Sequence, residues 1–163
     1  MIDDRAILAL DLGTKLGWAL HLPAGRPSSG VFDLRKSNTH GERFSLVLGW
    51  LTAGFVAEMP IGSVLAIEEP GYLPSGAAYR MLCGIRAVAL LVAYEHGWTP
   101  IGVAPAELKK HATGKGNAKK PAMIAAAKRL TGRDMTDDEA DAVLLLDYVR
   151  TTAEIETEVD DRQ

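Results

Sequence analysis

Asp11 closes the run Ile7-Leu8-Ala9-Leu10, four apolar residues that read as a strand buried on both faces. An isolated buried carboxylate costs several kcal/mol or more. Something must therefore sit beside Asp11: a backbone cap, a basic side chain or a metal ion. A second acid, Glu68, stands late in another apolar run, "LAIEEP". In open α/β sheets functional groups gather at the carboxyl ends of neighbouring strands, which would set Asp11 and Glu68 side by side. Glu69 alternates to the opposite side of its strand. Two further acids lie in "TDDEADAVLLLDYV". Asp138 and Asp141, three residues apart, share one helix face. Asp141 borders the packing stripe Ala142, Leu145, Leu146 and Val149. Their neighbours have plainer explanations. Thr136 and Glu139 have capping-box spacing. Asp137, like Asp138, suits the positive end of the helix dipole. Asp147 lies well around the helix from Asp141, where solvent is expected.

If Asp11, Glu68, Asp138 and Asp141 converge, about four negative charges meet in one place, and they cannot all stay ionised uncompensated. Hard divalent cations with oxygen ligands solve this, and Mg²⁺ suits a few carboxylates plus water and a substrate phosphate. Two such ions form a site for in-line phosphodiester hydrolysis, one activating water and one stabilising the leaving oxygen. A basic segment, "LKKHATGKGNAKK" (108–120), precedes the acid-bearing helix. Lys109, Lys110, Lys115, Lys119 and Lys120 supply point charges, and its glycines let backbone N–H groups approach phosphate. Lys120 opens the next helix, within range of a scissile phosphate. His111 reads equally as a surface residue or a catalytic one. Aromatic residues are too few for a base-stacking sheet, and Tyr72, just past Glu68, is the expected base-contacting ring.

The elements that must position these residues follow from the patterning. A strand at 6–12 and a return strand at 16–22 form a hairpin, and 30–34 continues it as a third antiparallel strand. Apolar spacing predicts a helix from Thr39 to Met59, stopped by Pro60 and Gly62. Strands follow at 63–70 and 99–105, with a long helix at 77–96 between them. Shorter helices flank the basic loop, one at 118–130, and Thr136 starts the last helix, which runs to about Thr152. Three antiparallel strands followed by alternating helix and strand describe a mixed five-stranded α/β sheet with helices on its faces. That order suits a ribonuclease H-like fold, with a doubly wound sheet as the alternative. Residues 1–152 read as a single domain and 153–163 as an acidic solvated tail.

The bulk composition narrows the function classes. The 163 residues are 47% hydrophobic and 24% charged, as in soluble globular domains. The net charge of −3 conceals an asymmetry: residues 134–163 carry 11 acids and 2 bases, whereas residues 1–133 carry 10 acids and 16 bases. A mildly basic body therefore remains open to a polyanion partner. Cys83 is the one cysteine, so no internal disulfide forms, and its apolar setting suggests a buried thiol. Acids at the N-terminus argue against a signal peptide, and the apolar stretch 87–94 is short for a membrane span. A cytoplasmic protein without a membrane partner is expected.

Four segments together resemble the RuvC family of Holliday junction resolvases, over nearly the whole chain to about residue 150. "LALDLGTKLGWAL" resembles the family's first motif, "LAIEEP" its Glu motif, "LKKHATGKGNAKK" its Lys-rich segment, and "DEADAV" its closing D-x-x-D-A. The resemblance implies a ribonuclease H-like nuclease that resolves four-way DNA junctions with two Mg²⁺ ions per active site, Mn²⁺ being a substitute. Asp11, Glu68, Asp138 and Asp141 would hold the metal, and Lys120 would be the active-site lysine. It also implies a homodimer, paired through the helix at 77–96. The family often has a Phe three residues after the Glu, where this chain has Gly71 followed by Tyr72. The chain is compact for the family, as a phage or prophage version would be. "DLGTKLGWA" also resembles the YqgF family, which acts on structured RNA, but Glu68 and the Asp138/Asp141 pair favour RuvC. "DLGT" resembles the phosphate loop of sugar kinases and actin-like ATPases, which need two such domains. A non-catalytic junction-binding protein is the remaining alternative.

Overall fold

The computed structural model describes residues 5–69 and 76–152. Five strands form one sheet in the order β3-β2-β1-β4-β5. Strands β1 (Ile7–Asp11), β2 (Lys15–His21) and β3 (Ser28–Asp33) are antiparallel neighbours. Strand β4 (Val64–Glu68) adds to β1 in parallel, and β5 (Thr99–Val103) adds to β4 in parallel. This is the mixed sheet the sequence predicts. Pro100 lacks a backbone N–H and sits in β5, an edge strand where that donor is dispensable.

Alternation along the central strands builds two different cores. Leu8, Leu10, Leu65 and Ile67 face one side with α1 (His40–Gly54) and α2 (Gly76–Glu95). Ile7, Ala9, Ala19 and Ala66 face the other, with α4 (Lys120–Thr131) and α5 (Asp137–Thr152). The alanines leave room for α5 to lie close against the strands. Ala140, all of Ala142–Leu146 and Val149 are buried. This is more than the single stripe expected, because α5 lies between the sheet and the helices α3 (Pro105–Thr113) and α4.

Three features differ from expectation. Helix α1 stops at Gly54, and Phe55 to Met59 continue as turns whose Phe55 and Met59 remain buried. Apolar spacing persisted there because the turn packs on the same core. Helix α2 is long and apolar enough to cross a membrane by length and composition, which the stretch 87–94 alone concealed. It lies on the sheet instead, burying Met81, Ile85, Ala89, Val92 and Ala93. Cys83, expected to be buried, is only partly so, with its thiol beside the Tyr79 hydroxyl.

Candidate active site

Parallel register positions the first two acids. Ala9 pairs with Ala66 and Leu10 with Ile67, so Asp11 and Glu68 stand one step beyond, at adjacent strand ends. Both belong to the alternation that faces α5. Gly17 then lets α5 close down: a β-carbon there would run into the Asp138 carbonyl. The first turn of α5 therefore rests on β2, beside β1, and brings Asp138 and Asp141 to the same end of the sheet.

Asp11, Glu68 and Asp141 each feel the charge of other acids at this end of the sheet. Asp11 is partly open to solvent, yet its carboxyl is pushed up to about 8, first by desolvation and then by Asp141, Glu68, Asp138 and Asp137. Glu68 is raised to about 7 by desolvation and Asp141, against the pull of Lys109. Asp141 is raised to about 6 by desolvation and Asp137, opposed by Lys120 and Lys109. Among the described residues, no three Asp, Glu, His or Cys side chains are placed to grip one ion as they stand.

Two lysines reach this cluster. Lys109 acts on Glu68 and Asp141 from α3. Lys120, the first residue of α4, bonds Asp137 through Nζ at 2.5 Å. Asp137 thus does more than suit the helix dipole: it lowers the freedom of Lys120 and adds to the field on Asp11. Only the tertiary pairing of α4 with α5 exposes that role. Lys110, Lys115 and Lys119 are exposed. Lys115 and Lys119 line a cavity of about 630 Å³ with Arg129. Tyr72 lies outside the described residues.

The remaining acids of α5 are structural. Thr136 Oγ1 accepts from the Glu139 N–H at 3.3 Å, the first half of the capping box. The second half is diverted, for the Glu139 carboxylate accepts from Ser29 at 2.7 Å and Arg133 at 3.2 Å. Asp147, expected in solvent, is partly buried and meets His111 Nε2 at 2.9 Å. The Tyr148 ring packs edge-on against that imidazole. This pair ties α3 to α5, which gives His111 a structural role. Glu69 points to the other face, as strand alternation requires, and pairs with Arg86 of α2 at 2.8 Å.

The mixed five-stranded sheet with helices on both faces is the ribonuclease H-like fold that the sequence predicts. The chain shares that fold with solved resolvase structures. It is similar to the Thermus thermophilus RuvC structure, with a TM-score of 0.69 at 18% identity over 89% of this chain and 95% of that one. Against T. thermophilus RuvC in complex with Holliday junction substrate the TM-score is 0.67, again at 18% identity, over 86% and 90% of the two chains. The yeast mitochondrial Holliday junction resolvase aligns at 0.59 with 15% identity, over 88% of this chain and 76% of its own. No family model and no curated protein sequence matches the chain.

Proposed function

We propose that this protein is a divalent-metal-dependent endonuclease that hydrolyses phosphodiester bonds in branched DNA, with the four-way junction as its principal substrate. The observation that carries the reading is the cluster of Asp11, Glu68 and Asp141, whose proton affinities burial and mutual repulsion all raise, on a resolvase fold. Such a donor set fits a hard cation, because only added positive charge lets these oxygens ionise together at neutral pH. Asp11, Glu68, Asp138 and Asp141 would hold two Mg²⁺ ions, or Mn²⁺ in their place. Bound there, the ions would activate water and stabilise the leaving oxygen. Lys120, steered by Asp137, places its charge beside the acids to meet the scissile phosphate. Lys109, Lys110, Lys115 and Lys119 bind the backbone, and Tyr72 contacts a base.

A homodimer would cut two strands in concert. Support comes from α2, which leaves Tyr79, Leu91 and Tyr94 exposed at 47%, 50% and 86% on its outer side. Residues 1–152 act as one domain with 153–163 as an acidic tail, in a cytoplasmic protein.

The test is a cleavage assay in Mg²⁺ on a labelled four-way junction, a three-way branch, linear duplex and structured RNA, with Asp11→Asn alongside. Paired symmetric nicks in the junction, lost in the variant, are expected. Cutting of RNA alone, or tight junction binding without cutting, would overturn the reading.

A further inference from the structure

We infer that the cavity between the β2–β3 edge and the C-terminal half of α5 is a second phosphate-binding site, for a backbone phosphate of the DNA strand that continues from the carboxylates. The inference rests on the proposed nuclease reading for its ligand. The cavity holds about 430 Å³ and is walled by Leu130, Val143 and Leu146, with Arg26, Arg133 and Arg150 around it. Ser28 and Ser29 contribute hydroxyls to its floor.

The polar groups are arranged rather than scattered. Arg133 Nη2 donates to Ser29 Oγ at 2.8 Å and to Glu139 Oε1 at 3.2 Å, while Ser29 donates to that same oxygen at 2.7 Å. This triangle consumes the Glu139 charge and fixes Arg133 on the wall. Asp147 also borders the cavity, but its carboxylate is committed to His111. Arg26 and Arg150 have no hydrogen-bond or ion-pair partner among the described residues. His21, buried on the side of β2 that faces α5, feels the Arg150 charge, and its Nδ1 has no partner among the described residues. Burial and Arg150 both hold that imidazole neutral, so it adds no competing cation. Two free guanidinium forks beside the Ser28 hydroxyl match the planar, multidentate demands of a phosphate.

Position favours the DNA backbone as the source. The cavity adjoins the carboxylate site along one seam, for Gly17 lies under Asp138 and Ala19, two residues on, lines the cavity. On α5, Arg150 lies nine steps beyond Asp141, a rise of about 14 Å. Measured along a duplex axis, that rise equals about four base-pair steps at ~3.4 Å each.

The experiment pairs junction binding with a direct readout of the arginines. Arg26→Gln with Arg150→Gln should bind a four-way junction several-fold more weakly in metal-free buffer. The slope of log K against log salt should become shallower by about 0.9, one phosphate contact. In the wild-type chain, the Arg26 and Arg150 Nε–H NMR signals should shift saturably with a short DNA duplex. An unchanged affinity and slope in the double variant would overturn the site. Shifts with inorganic phosphate but none with DNA would also overturn it, making the cavity a free-anion pocket. Arginine-dependent junction binding with no cleavage in Mg²⁺ would keep this site and remove the nuclease reading. Cleavage with arginine-independent binding would do the reverse.

Discussion

Asp11 carries the sharpest consequence of single-residue placement. The native chain holds the Asp11 proton up to about pH 8, whereas an unfolded carboxyl releases it near 4. Between those values the native state binds more protons than the unfolded state, so stability falls as pH rises through the window. Glu68 and Asp141 act with the same sign up to about 7 and 6. Without divalent metal, Asp11→Asn should therefore raise stability at pH 8 by ~1 kcal/mol or more, about 2–4 °C in Tm, and much less at pH 5. Calorimetry at the two values checks this, and an equal gain at both would refute it. Mg²⁺ should raise the wild-type Tm at pH 8 and lose that effect in the variant. In cleavage, Asp11→Asn, Glu68→Gln and Asp141→Asn should each fall by at least about 100-fold, beyond the loss typical of outer-shell partners because each would hold metal directly, while junction binding survives. Wild-type cutting by Glu68→Gln would disprove the metal assignment.

At the scale of elements, the contact between α5 and β2 decides whether four acids become one site. Gly17 has no β-carbon to hold the Asp138 carbonyl away. Gly17→Ala must push the helix start outward, costing about 1–3 kcal/mol as overpacking does. Because Asp138 and Asp141 move with it, cleavage should fall more steeply than stability, read by kcat at a temperature where the variant stays folded. The α4 start is placed by the Lys120–Asp137 pair, whose Lys120 side chain is 77% exposed. An exposed pair contributes little to stability. Lys120→Ala should accordingly leave Tm within about 1 °C while slowing turnover. A large Tm drop with normal turnover would make Lys120 a structural residue only.

For the whole molecule, the outer side of α2 and the acidic tail make opposite predictions. Leu91→Glu with Tyr94→Glu puts charge on an exposed apolar side and should convert a dimer to monomers in sedimentation. Paired nicking should be lost with it. A monomeric wild-type chain would remove the dimer proposal. Deleting residues 153–163 should leave cleavage intact, and a deletion that abolished dimerisation would contradict a separable tail.

Much of this was legible in the chain because patterning is local. The run before Asp11, the run before Glu68 and the three-residue step from Asp138 to Asp141 are periodicities of one strand or one helix. They determined the element order, the mixed sheet and which acids share a side. Pairings between distant residues are not written in any local period. Asp137 looked like a helix-dipole acid until α4 supplied Lys120, and Asp147 looked solvated until α3 supplied His111. The arginines of the β2–β3 edge and of α5 likewise meet only because 124 positions of chain fold back between Arg26 and Arg150. Sequence patterning decides which face a side chain takes, since that follows from backbone geometry. Only packing decides which charge it meets, since that depends on how closely alanine and glycine let the helices approach the sheet.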